Sequence, residues 1–416
     1  MKRIFFMTFL LFPLLLISES YTLEGLIDVA LQQNTSLKQS QINLDIAGAR
    51  RSSSRINFLP DISSDIGRTE DLYNNTSVNS MSFSVSHLLS LNYDAYFVNK
   101  NAKHDFNSAV IANEIQMQNT IYEIIQSYIS VLENQKRLEL LEKNIQIQES
   151  IVFESEQLFR QNRITQFEVQ QSEINLLNSR ISALSAQNRL NQSRNRLFDL
   201  INIIDEGKKL EEVYLYENED TVNFTRNIDF EQILQIRQHN ETAAKHRTNI
   251  TQTKLNFYPE VRLRYSYGRG LSSEDWSFDE GRTAHTVGLN VSYSLNSLFR
   301  NRYSMKTANL LDEHYKLNTN QLLKDISLRY NQYLEELNHL QQMNLLMKNI
   351  LHQTTTNQAM AQQRYRLGLT TQLDLDRANR DQLEASINME VNQYELMLKK
   401  LSIDHLLSNE LRFIHK

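Results

Sequence analysis

Apolar residues recur every three to four positions at the start of this chain and then every second position. At Leu23, Leu26, Ile27, Ala30 and Leu31 the spacing is that of one helix face. It predicts a helix over 22–57, stopped where Pro60 removes a backbone donor and biases Leu59 away from the helical region. The period then drops to two. Ser82-Phe83-Ser84-Val85-Ser86-His87 alternates polar and apolar. The same alternation is cleaner later on. Val261, Leu263, Tyr265 and Tyr267 alternate with Arg262, Arg264 and Ser266. Val287, Leu289, Val291, Tyr293 and Leu295 alternate with Gly288, Asn290, Ser292, Ser294 and Asn296. Such segments are strands with one apolar and one polar face, expected over about 61–93 and about 260–297. Within them 68–80 and 268–285, rich in Asn, Ser, Asp, Glu and Gly, read as exposed loops.

After each strand pair the helical period returns and holds. Residues 95–160 and 301–366 contain neither Gly nor Pro. At 1.5 Å per residue each would run for about 100 Å. Ile121, Ile125, Tyr128, Leu132, Leu138, Leu141 and Ile145 mark the seam of the first. Ile326, Tyr330, Tyr333, Leu337, Leu340, Met347 and Leu351 mark that of the second. Seams of this kind need neighbouring helices to cover them. Returning helices are expected over 166–204 and 372–407, the latter carried by Leu383, Ile387, Val391, Tyr394, Leu398 and Leu401.

The order of elements is therefore written twice, and local phrases repeat with it. Asn57-Phe58-Leu59-Pro60-Asp61 recurs as Asn256-Phe257-Tyr258-Pro259-Glu260, 199 residues on, in a chain with three prolines. Phe159-Arg160-Gln161-Asn162-Arg163-Ile164-Thr165-Gln166-Phe167-Glu168-Val169 matches Tyr365-Arg366-Leu367-Gly368-Leu369-Thr370-Thr371-Gln372-Leu373-Asp374-Leu375, 206 residues on. The division that follows is 21–204 for the first repeat, 205–225 for an acidic, weakly periodic linker, 226–407 for the second repeat and 408–416 for a tail.

Composition sharpens this picture. Nine glycines and three prolines in 416 residues are few, which favours long uninterrupted elements. Abundant Gln, Asn, Lys and Glu suit wetted helices rather than a dry interior. A formal charge of −5 and no basic patch in the sequence argue against a nucleic-acid partner. Lys2 and Arg3, the apolar run 4–17 and Ser18-Glu19-Ser20 read as a secretory signal peptide cut after Ser20. Losing Lys2, Arg3 and Glu19 takes the formal charge from −5 to −6. The absence of cysteine excludes disulfides and thiol chemistry.

No HExxH, phosphate loop, nucleophile elbow or triad is present, so neither catalysis nor a metal or cofactor is expected. His339 and His352 read as surface or packing residues. The repeated turn has a structural reading of its own. Thr165-x-x-Glu168 and Thr371-x-x-Asp374 have capping-box form. Gly368 fits a positive-φ position, for which Asn162 is the usual substitute. Arg262 and Arg264 face away from the apolar side of their strand, which puts them in a barrel lumen or beyond the bilayer near a rim. Tyr93, Phe97, Tyr265, Tyr267 and Tyr293 are candidates for an interfacial girdle. Four strands cannot close a barrel, so strands in lipid require several copies of the chain.

The duplicated order, the Phe-x-Pro phrase ending a helix and the Tyr365-x-x-Gly368-x-x-x-x-x-Asp374-Leu375 turn resemble TolC-type outer-membrane efflux proteins over nearly all of 22–407. The resemblance implies an α+β membrane protein built as a homotrimer. Its three chains would close a twelve-stranded β-barrel in outer-membrane lipid and continue it as a long periplasmic α-helical barrel. That duct would dock on a periplasmic adaptor protein and an inner-membrane pump. It also implies that Asp374 lines the periplasmic constriction with Glu168 nearby, and that the Tyr365 hydroxyl helps hold a gate closed. The sequence departs from the family at two places: Thr370 stands where an Arg is usual, and Arg377 where a second Asp is usual. Arg377, three residues after Asp374, would neutralise part of an acidic ring. The alternative reading is a periplasmic coiled-coil adaptor or scaffold, in which the strands would form a small soluble sandwich.

Overall fold

A computed structural model describes residues 20–73, 76–90, 94–213, 228–273 and 281–409. The expected leader before Ser20, residues 214–225 of the linker, Tyr93 of the expected girdle and residues 410–416 of the tail lie outside them. In chain order the elements are β1 (Ser20–Tyr21), α1 (Leu23–Gln33), α2 (Thr35–Ile56), β2 (Asp61–Asp71), β3 (Thr76–Ser90), α3 (Asp94–Arg160), α4 (Gln166–Ile201), β4 (Lys209–Leu210), α5 (Leu234–Leu255), β5 (Glu260–Ser273), β6 (Gly281–Ser292), α6 (Leu295–Arg366) and α7 (Gln372–Leu406). The described residues fall into two compact units, one drawn from 20–37, 117–213 and 329–409, the other from those within 38–116 and 228–328.

The first unit is held by the predicted seams. Leu23, Leu26, Ile27 and Ala30 of α1 join Ile124, Ile125, Tyr128 and Leu132 of α3 and Leu197 and Ile201 of α4 in one core. Each fully buried Leu or Ile contributes about 2 kcal/mol. Tyr394 and Leu401 of α7 complete it. The helix expected over 22–57 breaks at Asn34, whose backbone turns extended at ψ 126°. Its side chain rewards the break: Oδ1 accepts from Leu37 N at 3.1 Å and Nδ2 donates to Leu200 O at 3.0 Å. The described part of the linker, 205–213, is more ordered than its composition suggests. Lys209–Leu210 pairs in parallel with Ser20–Tyr21. The Tyr128 hydroxyl donates to Glu211 O at 2.7 Å, with Tyr21 O also in reach at 3.1 Å. Arg194 clamps Asp205 with two bonds of 2.7 and 2.6 Å. The strand pairing and the Tyr128 bonds join residues far apart in sequence, which is why local periodicity misses them.

The second unit carries an antiparallel four-stranded sheet in the order β2-β3-β5-β6. Its strands are 11, 15, 14 and 12 residues long. They extend into the segments expected to be loops: β2 runs to Asp71, β3 starts at Thr76, β5 ends at Ser273 and β6 starts at Gly281. Ser, Asn and Arg on both faces hide the period of two there, while the ladder continues regardless, for example Arg68 with Asn79 and Gly67 with Ser80. The expected strand reaching Leu295 stops at Ser292 instead, and Leu295 opens α6, six residues before the expected 301. Ser297 marks the turn into the helix, its N and Oγ both donating to Ser294 O at 3.0 and 2.5 Å. The apolar positions Val287, Leu289 and Val291 are exposed on one face of the sheet, and β2 and β6 each have one edge unpaired among the described residues. Phe97 is not a girdle residue: it is 3% exposed, and its neighbour Tyr96 takes the outward position. Tyr265 and Tyr293 are exposed, and Tyr267 packs on the cross-strand His285.

Candidate functional site

The candidate site lies in the first unit, where α3 turns into α4 and α6 turns into α7. Both turns use the same local chemistry. A helix ends where a residue takes positive φ, Asn162 at 56° and Gly368 at 69°. That conformation lets the orphan carbonyls of the last turn be satisfied. Arg163 N donates to Leu158 O at 2.9 Å, and Leu369 N to Arg364 O at 2.8 Å. A side chain at position 368 is disfavoured by φ, and it would displace the end of the Arg163 side chain, whose Nη2 lies 2.5 Å from where a Cβ would stand. That same guanidinium donates to Leu367 O at 2.8 Å and ties one turn to the other.

The next helices begin with complete capping boxes. Glu168 Oε2 accepts from Thr165 N at 2.7 Å and from Thr165 Oγ1 at 3.0 Å. Asp374 Oδ2 accepts from Thr371 Oγ1 at 2.7 Å, Thr370 Oγ1 at 3.1 Å and Thr371 N at 3.4 Å. The Thr371 hydroxyl above all, with Thr370 beside it, holds the Asp374 carboxyl below the usual carboxylate range. Asp374 is exposed and stays ionised. Arg377 is exposed too and attracts Asp374 only through space, with no ion pair between them among the described residues. Thr370 thus brings a hydroxyl and no charge to Asp374.

Behind the turns the two long helices are fastened together. Tyr365 is 2% exposed, and its hydroxyl lies 2.9 Å from Ser155 Oγ on α3. Burial pushes the tyrosine's pKa up, against the bond from Ser155. Arg366 reaches Glu154 Oε1 through Nη2 at 2.7 Å and Nε at 2.9 Å. Between α4 and α7, Asn175 Nδ2 donates to Asp376 Oδ2 at 2.6 Å, and within α7 Gln372 Nε2 donates to Asp376 Oδ1 at 3.4 Å. Burial pushes the Asp376 carboxyl up to about 6 despite those bonds. Asp376 borders a cleft of about 660 Å³ that Glu168, Gln171, Asn178 and Arg380 also line.

Sequence reading found the caps and Tyr365 but missed Ser155, Asn175, Asp376 and the Arg366–Glu154 pair. For Asp376 the signal was present: Gln372, Leu375, Asp376 and Asn379 are all buried and sit at the three-to-four spacing of a seam. A carboxylate at a seam position is a buried polar group that needs a partner. For Ser155 there is none, since its partner is 210 residues away.

Arg262 and Arg264 belong to the other unit, exposed on one face of β5 opposite Asn290 and Gly288. Arg262 is paired with Glu260, Nη2 to Oε2 at 2.6 Å, so its charge is largely cancelled. Arg264 has no ion pair among the described residues.

Comparison with known proteins agrees with this architecture. The family profile described as outer membrane efflux protein matches residues 26–202 and 233–407. No curated protein sequence matches the chain. Among solved structures it resembles the outer membrane protein VceC of Vibrio cholerae (TM-score 0.79, 16% identity, 94% of this chain and 97% of that one). It also resembles CusC, described as forming a transmembrane channel (0.79, 15%, 93% and 92%). A third is the CmeC outer membrane channel of Campylobacter jejuni (0.77, 15%, 92% and 85%). At such identities the structural likeness speaks for the fold alone.

Proposed function

This chain belongs to the outer membrane efflux protein family, and from that premise we propose that it is the exit duct of a tripartite efflux or type I secretion system. Three copies supply four strands each to a closed barrel, which pairs the free edges of β2 and β6 and turns Val287, Leu289 and Val291 toward lipid. The long helices continue as a tunnel that takes substrate from a periplasmic adaptor and an inner-membrane pump. Conduction is passive, with the energy coming from the pump.

The constriction lies at the helix turns. The observation that carries this reading is the pair of capped turns lashed together by Arg163, with the ionised Asp374 left exposed at the surface. In a trimer Asp374 and Glu168 repeat around the axis, and concentrated carboxylates in a narrow pore favour cations. Arg377 offsets part of that ring, and Thr370 contributes no charge of its own. Block by divalent cations is therefore weak and shared between the two acids. Tyr365 holds the gate from behind, through Ser155. In the barrel Arg264, more than the paired Arg262, biases the lumen toward anions.

Single-channel recording with divalent titration tests the constriction. Weak block that lessens in both Asp374→Ala and Glu168→Ala supports it. Strong block abolished by Asp374→Ala and untouched by Glu168→Ala contradicts it.

A further inference from the structure

No basic patch was expected from the chain as a whole, yet the helix segments next to the sheet carry bases without acids, spread over three stretches far apart in sequence. Arg50 and Arg55 lie in the last two turns of α2, Lys254 in the last turn of α5, and Arg300, Arg302 and Lys306 in the first twelve residues of α6. All six are exposed. None of their side chains has an ion-pair or hydrogen-bond partner among the described residues, although the Arg55 and Lys254 carbonyls accept from Phe58 N and Phe257 N. The stretches 46–56, 245–255 and 295–306 contain no acid at all. Asp94 at the head of α3 and Asp61 at the start of β2 are nearby exceptions, and Glu260 is occupied by Arg262. The opposite end of the sheet has the other sign: the stretches 68–80 and 268–285, which include its far strand ends, together hold six acids and three bases.

On α6 the bases are mixed with large apolar groups. At 3.6 residues per turn, Leu295, Phe299, Arg302, Tyr303, Lys306 and Leu310 share one face. Phe299 is 72% exposed and Tyr303 71%. The other side of this helix is the docked one: Asn301 is buried and its Nδ2 donates to Asn256 O at 2.5 Å. Phe257, Arg302, Met305, Lys306, Leu310 and the acid Glu313 border an open cleft of about 370 Å³. Exposed aromatics alternating with bases, directly beside strands that cross a bilayer, have the composition of a headgroup-level anchor.

We propose that this basic collar, centred on Arg302 and Lys306, binds the phosphate headgroups of anionic phospholipids in the leaflet of the outer membrane that faces the periplasm. Arg302 and Lys306, one turn apart, meet the phosphate, while Phe257, Phe299 and Tyr303 sit among the glycerol and upper acyl carbons. The bases fix the depth at which the barrel sits. The proposal rests on the outer-membrane location of the family and not on where the pore narrows.

The test is native mass spectrometry of the detergent-purified full-length protein, titrated with phosphatidylglycerol or with zwitterionic phosphatidylethanolamine. Wild type should retain phosphatidylglycerol preferentially. Each base removed should weaken retention about five-fold, and Arg302→Gln with Lys306→Gln together about 25-fold. The exchange Arg302→Lys with Lys306→Arg should retain it, as should Lys348→Gln far along the same helix. Unchanged retention in the double glutamine variant overturns the proposal. So does competition by inorganic phosphate as effective as the lipid's own binding, which would mark a free-anion site. Loss of the oligomer in that variant, with lipid retention per chain unchanged, also overturns it and assigns the bases to a contact between copies. Failure of the divalent-block experiment would leave this result standing, since the two read different units of the molecule.

Discussion

At the first turn Phe159 is 42% exposed and Arg160 pairs with Glu156 of its own helix. At the second, the matching Tyr365 is 2% exposed on Ser155, and Arg366 reaches across to Glu154 of α3. The caps are nearly interchangeable, Thr165 with Glu168 and Thr371 with Asp374. What duplication preserved is therefore the code that ends one helix and starts the next. What diverged is the surface behind it. The helix after the first turn buries Ser172, Ala183 and Ala186, whereas the helix after the second buries Gln372, Asp376, Asn379 and Asn392. The second turn is fastened to its surroundings by polar contacts that are strong only while they remain dry.

The largest expected asymmetry is at the tyrosine. Tyr365→Ala removes a buried ring and its bond to Ser155 and should cost about 3 kcal/mol, lowering the melting temperature and raising single-channel conductance. Phe159→Ala should do much less to either. Equal effects would break the comparison.

Next is the buried carboxyl. Because the Asp376 pKa is raised in the fold, the native state holds a proton there that the unfolded chain releases between about pH 4 and 6. Stability contributed by the protonated acid is complete below that window and is lost as pH rises through it. Asp376→Asn should therefore stabilise the protein at neutral pH by about 1 kcal/mol and flatten the pH dependence of melting from pH 4 to 6. A variant that melts lower at pH 7, with its slope intact, would mean the carboxylate is favourably ionised.

The caps should show symmetry instead. Thr165→Ala and Thr371→Ala should each cost about 1 kcal/mol by thermal melting, the same within error. A several-fold difference would show that the turns are not locally equivalent. Smallest is Arg366→Gln, an exposed partner worth about 0.5 kcal/mol, whose loss should shrink further in high salt.

Much of this was legible beforehand because it is local. Few breakers, the seam at Ile125, Tyr128 and Leu132, and the repeated Thr-x-x-acid phrase each write their structure within a few residues. The strand ends beyond Arg68 and Gly268 were not, because runs of polar residues at successive positions leave no hydropathic period. Leu295 fell to the same ambiguity from the other side: one apolar residue fits the end of an alternation as well as the start of a helix. Phe97 was misjudged by a single residue, which on a helix is a rotation of about 100°. Ser155 and Asn175 lay beyond reach, since each acts on a residue roughly two hundred positions away.

The most direct measurement is conductance of the purified mature protein across a planar lipid bilayer, wild type beside Tyr365→Ala and Phe159→Ala. Wild type and Phe159→Ala should form discrete trimeric channels of low conductance, and Tyr365→Ala clearly larger ones. A protein that stays monomeric and water-soluble and passes no current, or one whose two aromatic variants conduct alike, would contradict this.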